Sequence, residues 1–237
     1  MSDIRQLNLG AQHILYDASR QPEIQPDWFV PDYWRRRNCV TGSAQGRAGA
    51  LFFLCQDREY VLRHYHRGGM VSRLLFDQYM WTGLDGTRAW REWRLLDRLN
   101  EMKLPVPVPV AARVQRNGLY YRADLITERI AGAGTLTSAL TEGSLPDTIW
   151  RRIGEVIRCF HNVGVCHADL NAHNILLNEQ QVYLLDFDRG RLRGGSTGWR
   201  QGNLRRLLRS LTKLKTERGA FYFEPDDWQT LLRGYGS

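Results

Sequence analysis

Two short apolar runs in the second half of the chain, residues 175–177 and 182–185, are separated by four polar residues. Apolar runs joined by a short polar connector predict a β-hairpin. Asp169 and Asn174 come just before this hairpin, and Asp186 comes directly after it. The pattern therefore predicts a hairpin flanked by an aspartate, an asparagine and a second aspartate.

This order of side chains suits phosphoryl transfer from Mg-ATP. In that reaction one carboxylate meets the accepting hydroxyl, while an amide and a second carboxylate hold Mg²⁺ against the phosphates. We therefore expect Asp169 to be the catalytic residue, and Asn174 and Asp186 to be the metal ligands. A lone aspartate in a polar loop more often serves a turn. The ordered set, however, resembles the protein-kinase pattern H-R-D-L-x-x-x-N followed by D-F-G.

A glycine-containing stretch, residues 42–47, precedes the apolar run 51–54. Glycine has no Cβ, so the N–H groups of such a loop can approach phosphates closely. We expect Gly42, Ser43 and Gly46 to cover the ATP phosphates. An ordinary hairpin turn is the alternative.

The alternating segment 60–65 predicts a strand, and it carries Arg63 where the kinase strand has a lysine. Arginine is always charged and can fork onto phosphate oxygens. Glu92 falls in the middle of the apolar face of a predicted helix over 87–102. Because an uncompensated buried carboxylate is costly, we expect Glu92 to pair with Arg63. An intrahelical pair with Arg88 is the alternative for Glu92, and an exposed strand arginine is the alternative for Arg63.

The remaining periodicity predicts an α+β, protein-kinase-like bilobal fold with an active-site cleft between the lobes. Residues 1–131, with an N-terminal extension, form the small β-rich lobe, and residues 132–237 form the larger helical lobe. Residues 131–134 contain two glycines and mark the boundary. Alternating prolines make residues 104–110 extended. A helix begins at Pro146 and runs to about residue 162.

Leucines at helical spacing over residues 203–215, with cations between them, predict a basic amphipathic helix. Its simplest interpretation is a core helix with a solvated basic face, and contact with an anionic membrane surface is the alternative. The formal net charge of +8 also favours an anionic partner. Nucleic acid is not expected, because no known binding module is visible.

Composition excludes several other classes. A hydrophobic content of 43% supports a packed core. The chain contains no run of about 18 apolar residues, so no membrane span is predicted. No export signal is recognisable at the N-terminus. The four cysteines lack C-x-x-C spacing, so we expect reduced core thiols.

Beyond the general kinase pattern, the chain resembles the lipopolysaccharide kinase family, in particular its 3-deoxy-D-manno-octulosonic acid (Kdo) kinase branch. The strings that carry this resemblance lie at residues 42–47, 62–69, 104–107, 167–177 and 185–188. The resemblance implies ATP-dependent phosphorylation of the 4-hydroxyl of Kdo on a lipid A precursor, with ATP and Mg²⁺ as cofactors. It also implies a peripheral protein at the cytoplasmic face of the bacterial inner membrane.

Departures from ordinary protein kinases point to a small or lipid-linked substrate. Ala168 replaces the loop arginine that meets an activation-loop phosphate, and Asp188 replaces the glycine of D-F-G. Only 49 residues follow Asp188, without an A-P-E triplet. We expect the partners to be a Kdo-bearing lipid A precursor and an anionic membrane surface, with no protein partner.

Two alternatives remain at this point. One is a kinase of another small-molecule or lipid-linked sugar. The other is a catalytically silent, membrane-associated kinase-like scaffold, which the arginine at position 63 would favour. Asp188, His173 and His64 are second-rank candidates for the site, and each is more often structural.

Overall fold

The computed structural model describes residues 3–44, 49–66, 77–179, 181–194 and 197–236. The chain forms two compact units, and the fold is mixed α/β. The first unit comprises Met1–Asp97 and Val108–Arg129, and the second comprises Arg98–Pro107 and Ile130–Ser237.

The first unit is built on an antiparallel sheet that has eight strands in the described residues. The strands are β1 Ile4–Leu9, β2 Gln12–Asp17, β3 Val40–Ala44, β4 Ala50–Cys55, β5 Arg58–His64, β6 Tyr79–Met80, β7 Pro109–Asn117 and β8 Tyr120–Glu128. Seven of them lie side by side in the order β1-β2-β7-β8-β5-β4-β3. The short strand β6 pairs with the first residues of β8, beyond the stretch of β8 that pairs with β5.

Aromatic side chains fill the core beneath this sheet. The short helix α1, Pro31–Arg36, contributes Trp34, whose ring stacks on Phe53 of β4 with centroids 4.0 Å apart. Trp28 meets Trp34 edge-on at 5.3 Å, and its neighbour Phe29 is also buried. Residues 1–40, to which the sequence assigned no chemistry, thus supply two strands and a large part of the core.

Helix α2, Arg88–Glu101, confirms the helix predicted over 87–102. Its buried side chains are Ala89, Trp90, Glu92, Trp93, Leu96, Asp97 and Leu99.

The second unit is mainly helical. Its helices are α3 Leu136–Glu142, α4 Asp147–Asn162, α5 Gly198–Glu217 and α6 Pro225–Tyr235. Its short strands are β9 Gly134–Thr135, β10 Val165–Cys166, β11 Ile175–Leu177, β12 Val182–Leu184 and β13 Arg191–Leu192.

Two glycines let α4 and α6 touch at the level of the backbone. A Cβ at Gly154 of α4 would overlap the main-chain oxygen of Leu231, and a Cβ at Gly234 of α6 would overlap that of Arg151. No larger residue fits at either position without separating the helices.

The predicted hairpin after Asn174 is confirmed, because β11 and β12 pair antiparallel and β9 adds a third strand. The predicted helix after Pro146 is confirmed as α4, with Pro146 as its N-cap. The basic helix is longer than predicted, because α5 begins at Gly198. Its leucines 204, 207, 211 and 214 are buried.

The four cysteines are free, but they are not the core thiols expected from the sequence, because Cys159 is exposed and the other three are half-buried. None of the helices in the described part of the chain is both long and apolar enough to span a membrane.

Candidate active site

The loop of residues 167–174 is held by its own side chains. The Nδ2 atoms of Asn174 and Asn171 donate to the main-chain oxygen of Asp169, at 2.9 and 3.1 Å. The Oδ1 of Asn171 accepts from the main-chain N–H groups of His173 and Asn174 and so caps the 3₁₀ turn Ala172–Asn174. Two of the predicted residues, Asp169 and Asn174, are thus brought together by a direct hydrogen bond.

His167 links this loop to the segment that carries Asp186. Its Nδ1 accepts from the main-chain N–H of Asp169 at 3.1 Å, and its Nε2 donates to the main-chain oxygen of Leu185 at 2.8 Å. Burial lowers the pKa of His167, so the ring is neutral and this tautomer is maintained. Asp186 itself has a left-handed backbone, with φ of 59°. The imidazole therefore fixes the loop and the turn after the hairpin relative to each other.

Asn203 of α5 supports His167 from the other side. Its Nδ2 donates to the main-chain oxygen of His167 at 2.8 Å, and its Oδ1 accepts from the main-chain N–H of His167 at 3.2 Å. His161 of α4 also donates to Oδ1 of Asn203, at 3.3 Å, and accepts from the hydroxyl of Tyr235 at 2.8 Å. Burial lowers the pKa of His161 to about 4, so it is neutral at physiological pH. A chain of polar contacts thus runs from α6 to Asp169.

Arg206 of α5 reaches the predicted catalytic residue. Its Nη1 lies 3.1 Å from Oδ1 of Asp169. Arg206 is exposed, as the interpretation of a solvated basic face implies, and the sequence did not indicate that it pairs with Asp169. An exposed ion pair adds little stability, so the contact matters for where the Asp169 carboxylate points.

Two further cations of α5 are paired within the protein. Lys213 lies 3.6 Å from Glu217, and Lys215 lies 2.7 Å from Glu224. The positive charge that this helix offers to an external partner is correspondingly smaller than its sequence indicates.

In the first unit, the predicted pair of Arg63 and Glu92 is confirmed. The Nη2 atom of Arg63 lies 2.5 Å from Oε2 of Glu92, and the hydroxyl of Tyr65 donates to the same oxygen at 2.5 Å. Glu92 is only 3% exposed. Arg88, the alternative partner, places its guanidinium over the ring of Tyr79. Arg63 thus has a position fixed by a buried carboxylate and a phenol.

Gly42 and Ser43 lie in strand β3 rather than in a loop, so the predicted glycine loop begins too early in the sequence. Gly42 pairs with Phe52 across a β-bulge, and a Cβ at Gly42 would lie 3.3 Å from the Phe52 ring. This close packing against Phe52 explains a glycine at position 42 without any role in phosphate binding. Gly46 lies outside the described residues.

Strand register relates this hairpin to Arg63. Ala44 at the end of β3 pairs with Ala50, and Ala50 pairs with Arg63. Arg63 therefore lies at the end of the sheet where the β3–β4 connection is made. That is the arrangement expected if both contact one phosphate chain, and phosphate binding by Gly42, Ser43 and Gly46 stays a prediction.

The second-rank histidine His64 has a structural explanation. Its Nδ1 donates to Asp124 at 2.6 Å, and this contact raises the pKa of His64. Asp124 also pairs with Arg113 at 2.8 Å. Burial lowers the pKa of His173, which lies next to Asn174 in the capped turn. Asp188 follows Phe187, whose ring packs against His167 with centroids 4.8 Å apart.

The donor set of the loop fits Mg²⁺. Because Nδ2 of Asn174 donates to Asp169, its Oδ1 is the atom that can face a metal, and Asp186 adds a carboxylate. Among the described residues no group of three histidines, cysteines or carboxylates is placed to hold a metal ion. Mg²⁺ commonly uses one or two protein ligands together with substrate phosphates, so this sparse set is suitable for it.

Residues 31–235 match the sequence profile of the lipopolysaccharide kinase (Kdo/WaaP) family. The chain belongs to this family.

Its relatives within the lipopolysaccharide kinase family match it along nearly the whole chain. A protein of Actinobacillus succinogenes named 3-deoxy-D-manno-octulosonic acid kinase is 42% identical, covering 97% of this chain and 99% of the relative. Proteins with the same name from Stenotrophomonas maltophilia and Vibrio cholerae are 43% and 40% identical. They cover 95% and 91% of this chain, and 90% and 92% of the relatives.

A solved structure described as WaaP in complex with acyl carrier protein is similar in fold. Its TM-score is 0.56 with 17% sequence identity, and the match covers 84% of this chain and 80% of that one. At this identity the likeness concerns the fold alone.

Three residues that support the loop of this lipopolysaccharide kinase were not predicted from sequence: Asn203, His161 and Arg206. One signal for Asn203 was available, since it lies four residues before Leu207 and eight before Leu211, on the apolar face of its helix. A buried amide needs hydrogen-bond partners. Nothing local indicates that the partner is His167, which is 36 residues away.

Proposed function

We propose that this protein is an ATP-dependent Kdo kinase that phosphorylates the 4-hydroxyl of a Kdo residue on a lipid A precursor, in lipopolysaccharide inner-core biosynthesis. One observation carries the proposal: relatives named 3-deoxy-D-manno-octulosonic acid kinase match the chain at about 40% identity along its length. The organised loop of Asp169, Asn174 and His167 supports a catalytic role over a silent scaffold.

Asp169 orients the accepting hydroxyl and takes its proton as the new O–P bond forms, while the bond from the γ-phosphorus to the bridging oxygen breaks and ADP leaves. Its main chain is fixed by Asn171 and Asn174, and its carboxylate is directed by Arg206. Little covalent chemistry is required of the protein, so the rate depends on this positioning.

Asn174 and Asp186 would hold Mg²⁺ when ATP is bound, and the ion would supply electrostatic stabilisation of the transferring group. His167 keeps the two ligand-bearing segments in register, because it bonds to both Asp169 and Leu185.

Arg63, positioned by Glu92, neutralises charge on the α- and β-phosphates. Its guanidinium has further N–H donors beside the Nη2 that meets Glu92. Gly42, Ser43 and Gly46 cover the phosphates from the β3–β4 connection. We propose that the two units are the small and large lobes of a bilobal protein-kinase-like fold. The division between residues 131 and 132 that the sequence predicted differs from these units chiefly at residues 98–107, which belong to the second unit.

The lipid-linked acceptor implies a peripheral location at the cytoplasmic face of the inner membrane. The net charge of +8 supports attraction to an anionic bilayer. The solved relative was studied with acyl carrier protein, so it lends no support to our expectation that protein partners are lacking.

The test is a transfer assay with purified protein, Mg-ATP and Kdo-bearing lipid A precursor. We expect one phosphate on the 4-hydroxyl from the wild type and none above background from Asp169→Asn. The matched control is Asp226→Asn, which removes an exposed carboxylate of α6 in the same unit and should keep full activity.

Other outcomes separate the alternatives. Mg-ATP turnover with a different sugar but not with Kdo would identify another sugar kinase. Failure of the wild type to bind Mg-ATP would identify a scaffold.

A further inference from the structure

Three strand ends lie side by side at one end of the first unit's sheet. The main-chain N–H of Arg116 donates to the oxygen of Ala11, in the turn between β1 and β2. The main-chain N–H of Trp81, just after β6, donates to the oxygen of Leu119 in the turn between β7 and β8. We call residues 9–12, 79–82 and 116–120 together the hairpin-tip surface.

Large apolar side chains are exposed on the hairpin-tip surface. Leu119 is 76% exposed, Met80 69% and Leu9 50%. Leu119 and Met80 are the most exposed of the large hydrophobic side chains in the described residues. Single exposed hydrophobic residues are normal, but a cluster indicates a contact surface.

The same surface is basic and aromatic. Trp81 is half-buried, and the guanidinium of Arg116 lies over its ring, 4.9 Å from the centroid. Arg122, which pairs with Asp77 at 2.7 Å, lies beside it on β8. The segments 4–16, 78–84 and 113–123 contain four arginines. Three of these arginines pair with carboxylates at the edges of the segments: Arg5 with Asp3, Arg113 with Asp124 and Arg122 with Asp77.

Polar side chains next to the turns line a recess large enough for a small charged group. These include Gln78, Gln115, Arg116, Asn117, Tyr120 and Arg122.

We infer that the hairpin-tip surface is where the protein rests on an anionic lipid bilayer. Leu9, Met80 and Leu119 enter the boundary between headgroups and acyl chains, and Trp81 lies at headgroup level, where tryptophan is favoured. Arg116 and Arg122 meet the lipid phosphates, since each cation near an anionic surface adds attraction. The inference rests on the proposed function to the extent that a lipid-linked acceptor requires a bilayer.

A bilayer suits this surface better than a protein partner does. The exposed apolar cluster consists of three side chains on turns and a two-residue strand, whereas a stable protein interface buries a continuous area of roughly 800 Å² on each partner. Helix α5, the alternative contact named from sequence, is a weaker candidate, because Leu204, Leu207, Leu211 and Leu214 on its apolar face are buried in the core and cannot enter a bilayer.

The test measures binding to vesicles of phosphatidylethanolamine and phosphatidylglycerol by co-sedimentation. The triple variant Leu9→Ser, Met80→Ser, Leu119→Ser should partition on the order of tenfold more weakly than the wild type, because three apolar anchors are lost. Leu54→Ser with Val163→Ser, which changes exposed apolar residues elsewhere, is the matched control and should bind as the wild type does.

A second variant tests the charge. Arg116→Gln with Arg122→Gln should lose the preference for these vesicles over phosphatidylcholine vesicles, whereas Arg205→Gln with Arg209→Gln on α5 should retain it. Thermal melts of every variant check that it is folded, so that reduced binding is not caused by unfolding.

The inference is overturned if the triple variant binds vesicles as the wild type does, or if the α5 variant alone abolishes binding. Its failure is separable from that of the proposed function. Vesicle binding that requires the hairpin-tip surface, without phosphate transfer to Kdo, would support the surface and reject the substrate. The triple variant should also keep wild-type activity on detergent-dispersed acceptor and lose activity only on acceptor embedded in bilayers.

Discussion

In the proposed mechanism the Asp169 carboxylate points at a substrate hydroxyl, and the guanidinium of Arg206 lies 3.1 Å from one oxygen of that carboxylate. The ion pair uses Oδ1, so Oδ2 is the oxygen that would meet the hydroxyl proton. We therefore propose that Arg206 orients the Asp169 carboxylate.

We predict that Arg206→Ala lowers kcat about tenfold or more, with little change in KM for ATP, because the loss falls on the transition state. Arg206→Lys should recover part of the rate. Steady-state kinetics checks this, with Arg205→Ala as the neighbouring exposed control. Equal kinetics for the variants at positions 205 and 206 would show that the contact with Asp169 is unimportant.

The pair of Arg63 and Glu92 makes a second prediction at the level of single residues. A double-mutant cycle with Arg63→Gln and Glu92→Gln should give a coupling free energy of about 1–3 kcal/mol, because the carboxylate is buried and removing one partner strands the other. Urea unfolding of the four proteins measures it, and each single variant should also raise KM for ATP.

The exposed pair of Arg94 and Asp85, 2.8 Å apart, provides the matched control for that cycle. An exposed pair typically couples by about 0–1 kcal/mol. A coupling for Arg63 and Glu92 no larger than this would contradict the proposed role of Glu92.

At the level of elements, helix α5 holds the loop of residues 167–174 in place through hydrogen bonds. Asn203 occupies both main-chain groups of His167, and Ser210 accepts from the main-chain N–H of Ala172 at 3.2 Å. One helix thus fixes the loop before and after Asp169. The buried leucines of α5 fix the helix in the core of the second unit.

Asn203→Ala should therefore lower both stability and activity. Two buried main-chain groups lose their partners, which costs about 2–4 kcal/mol of unfolding free energy. We also expect kcat to fall, because the loop that carries Asp169 loosens. Chemical denaturation and kinetics at matched temperature measure the two effects.

The exposed neighbour Thr212→Ala on the same helix is the control for Asn203→Ala and should change neither quantity. If Asn203→Ala loses stability but keeps kcat, Asn203 supports only the fold.

The elements that the sequence predicted well are those in which the spacing of apolar residues is visible within the element itself. The hairpin after Asn174, helix α4 and helix α2 each have apolar residues at the spacing of their own element. The start of α5 was missed, because Gly198 and Gly202 have poor helix propensity that packing overrides.

Residues 42–44 were assigned to a loop rather than to strand β3 for a related reason. Gly42, Ser43 and Ala44 have low strand propensity, and their pairing with residues 50–52 imposes the strand. The site residues named from motifs were identifiable because their types and order carry the chemistry. Arg206 and Asn203 reach the loop across more than 35 residues, and no local pattern encodes such contacts.

At the scale of the whole molecule, the two units contain histidines with opposite pH responses. The pKa of His161 in the second unit is lowered to about 4 by burial, so its unfolded form binds more protons between about pH 4 and 6.5. Its contribution to stability is therefore present above pH 6.5 and is lost as the pH falls. His64 in the first unit has a raised pKa because of its hydrogen bond to Asp124, so its contribution is present at low pH and is lost as the pH rises through that pKa.

We predict that acidification from pH 7.5 to 5 destabilises the second unit more than the first, where the raised pKa of His64 opposes the effect of the pKa of His66, which burial lowers. For His161 the effect reaches at most about 3 kcal/mol at pH 4 and below. Hydrogen-exchange mass spectrometry at the two pH values, corrected for intrinsic exchange, measures it unit by unit.

His161→Gln should flatten this pH dependence in the second unit, whereas Cys159→Ser, at an exposed position of the same helix, should leave it unchanged. An equal loss of protection in both units would contradict the assignment to His161.

Arginine at position 63 has a consequence for chemical biology. The whole chain contains three lysines, Lys103, Lys213 and Lys215, and the segments of the first unit contain none. Acyl-phosphate nucleotide probes and other amine-directed covalent inhibitors, which profile kinases by tagging the strand lysine, have no lysine side chain to react with in this unit. A guanidinium also stays protonated at any pH the protein survives. Dicarbonyl reagents that condense with arginine are the appropriate labels. Reduced labelling of Arg63 by these reagents when ATP is present would show that ATP covers this side chain.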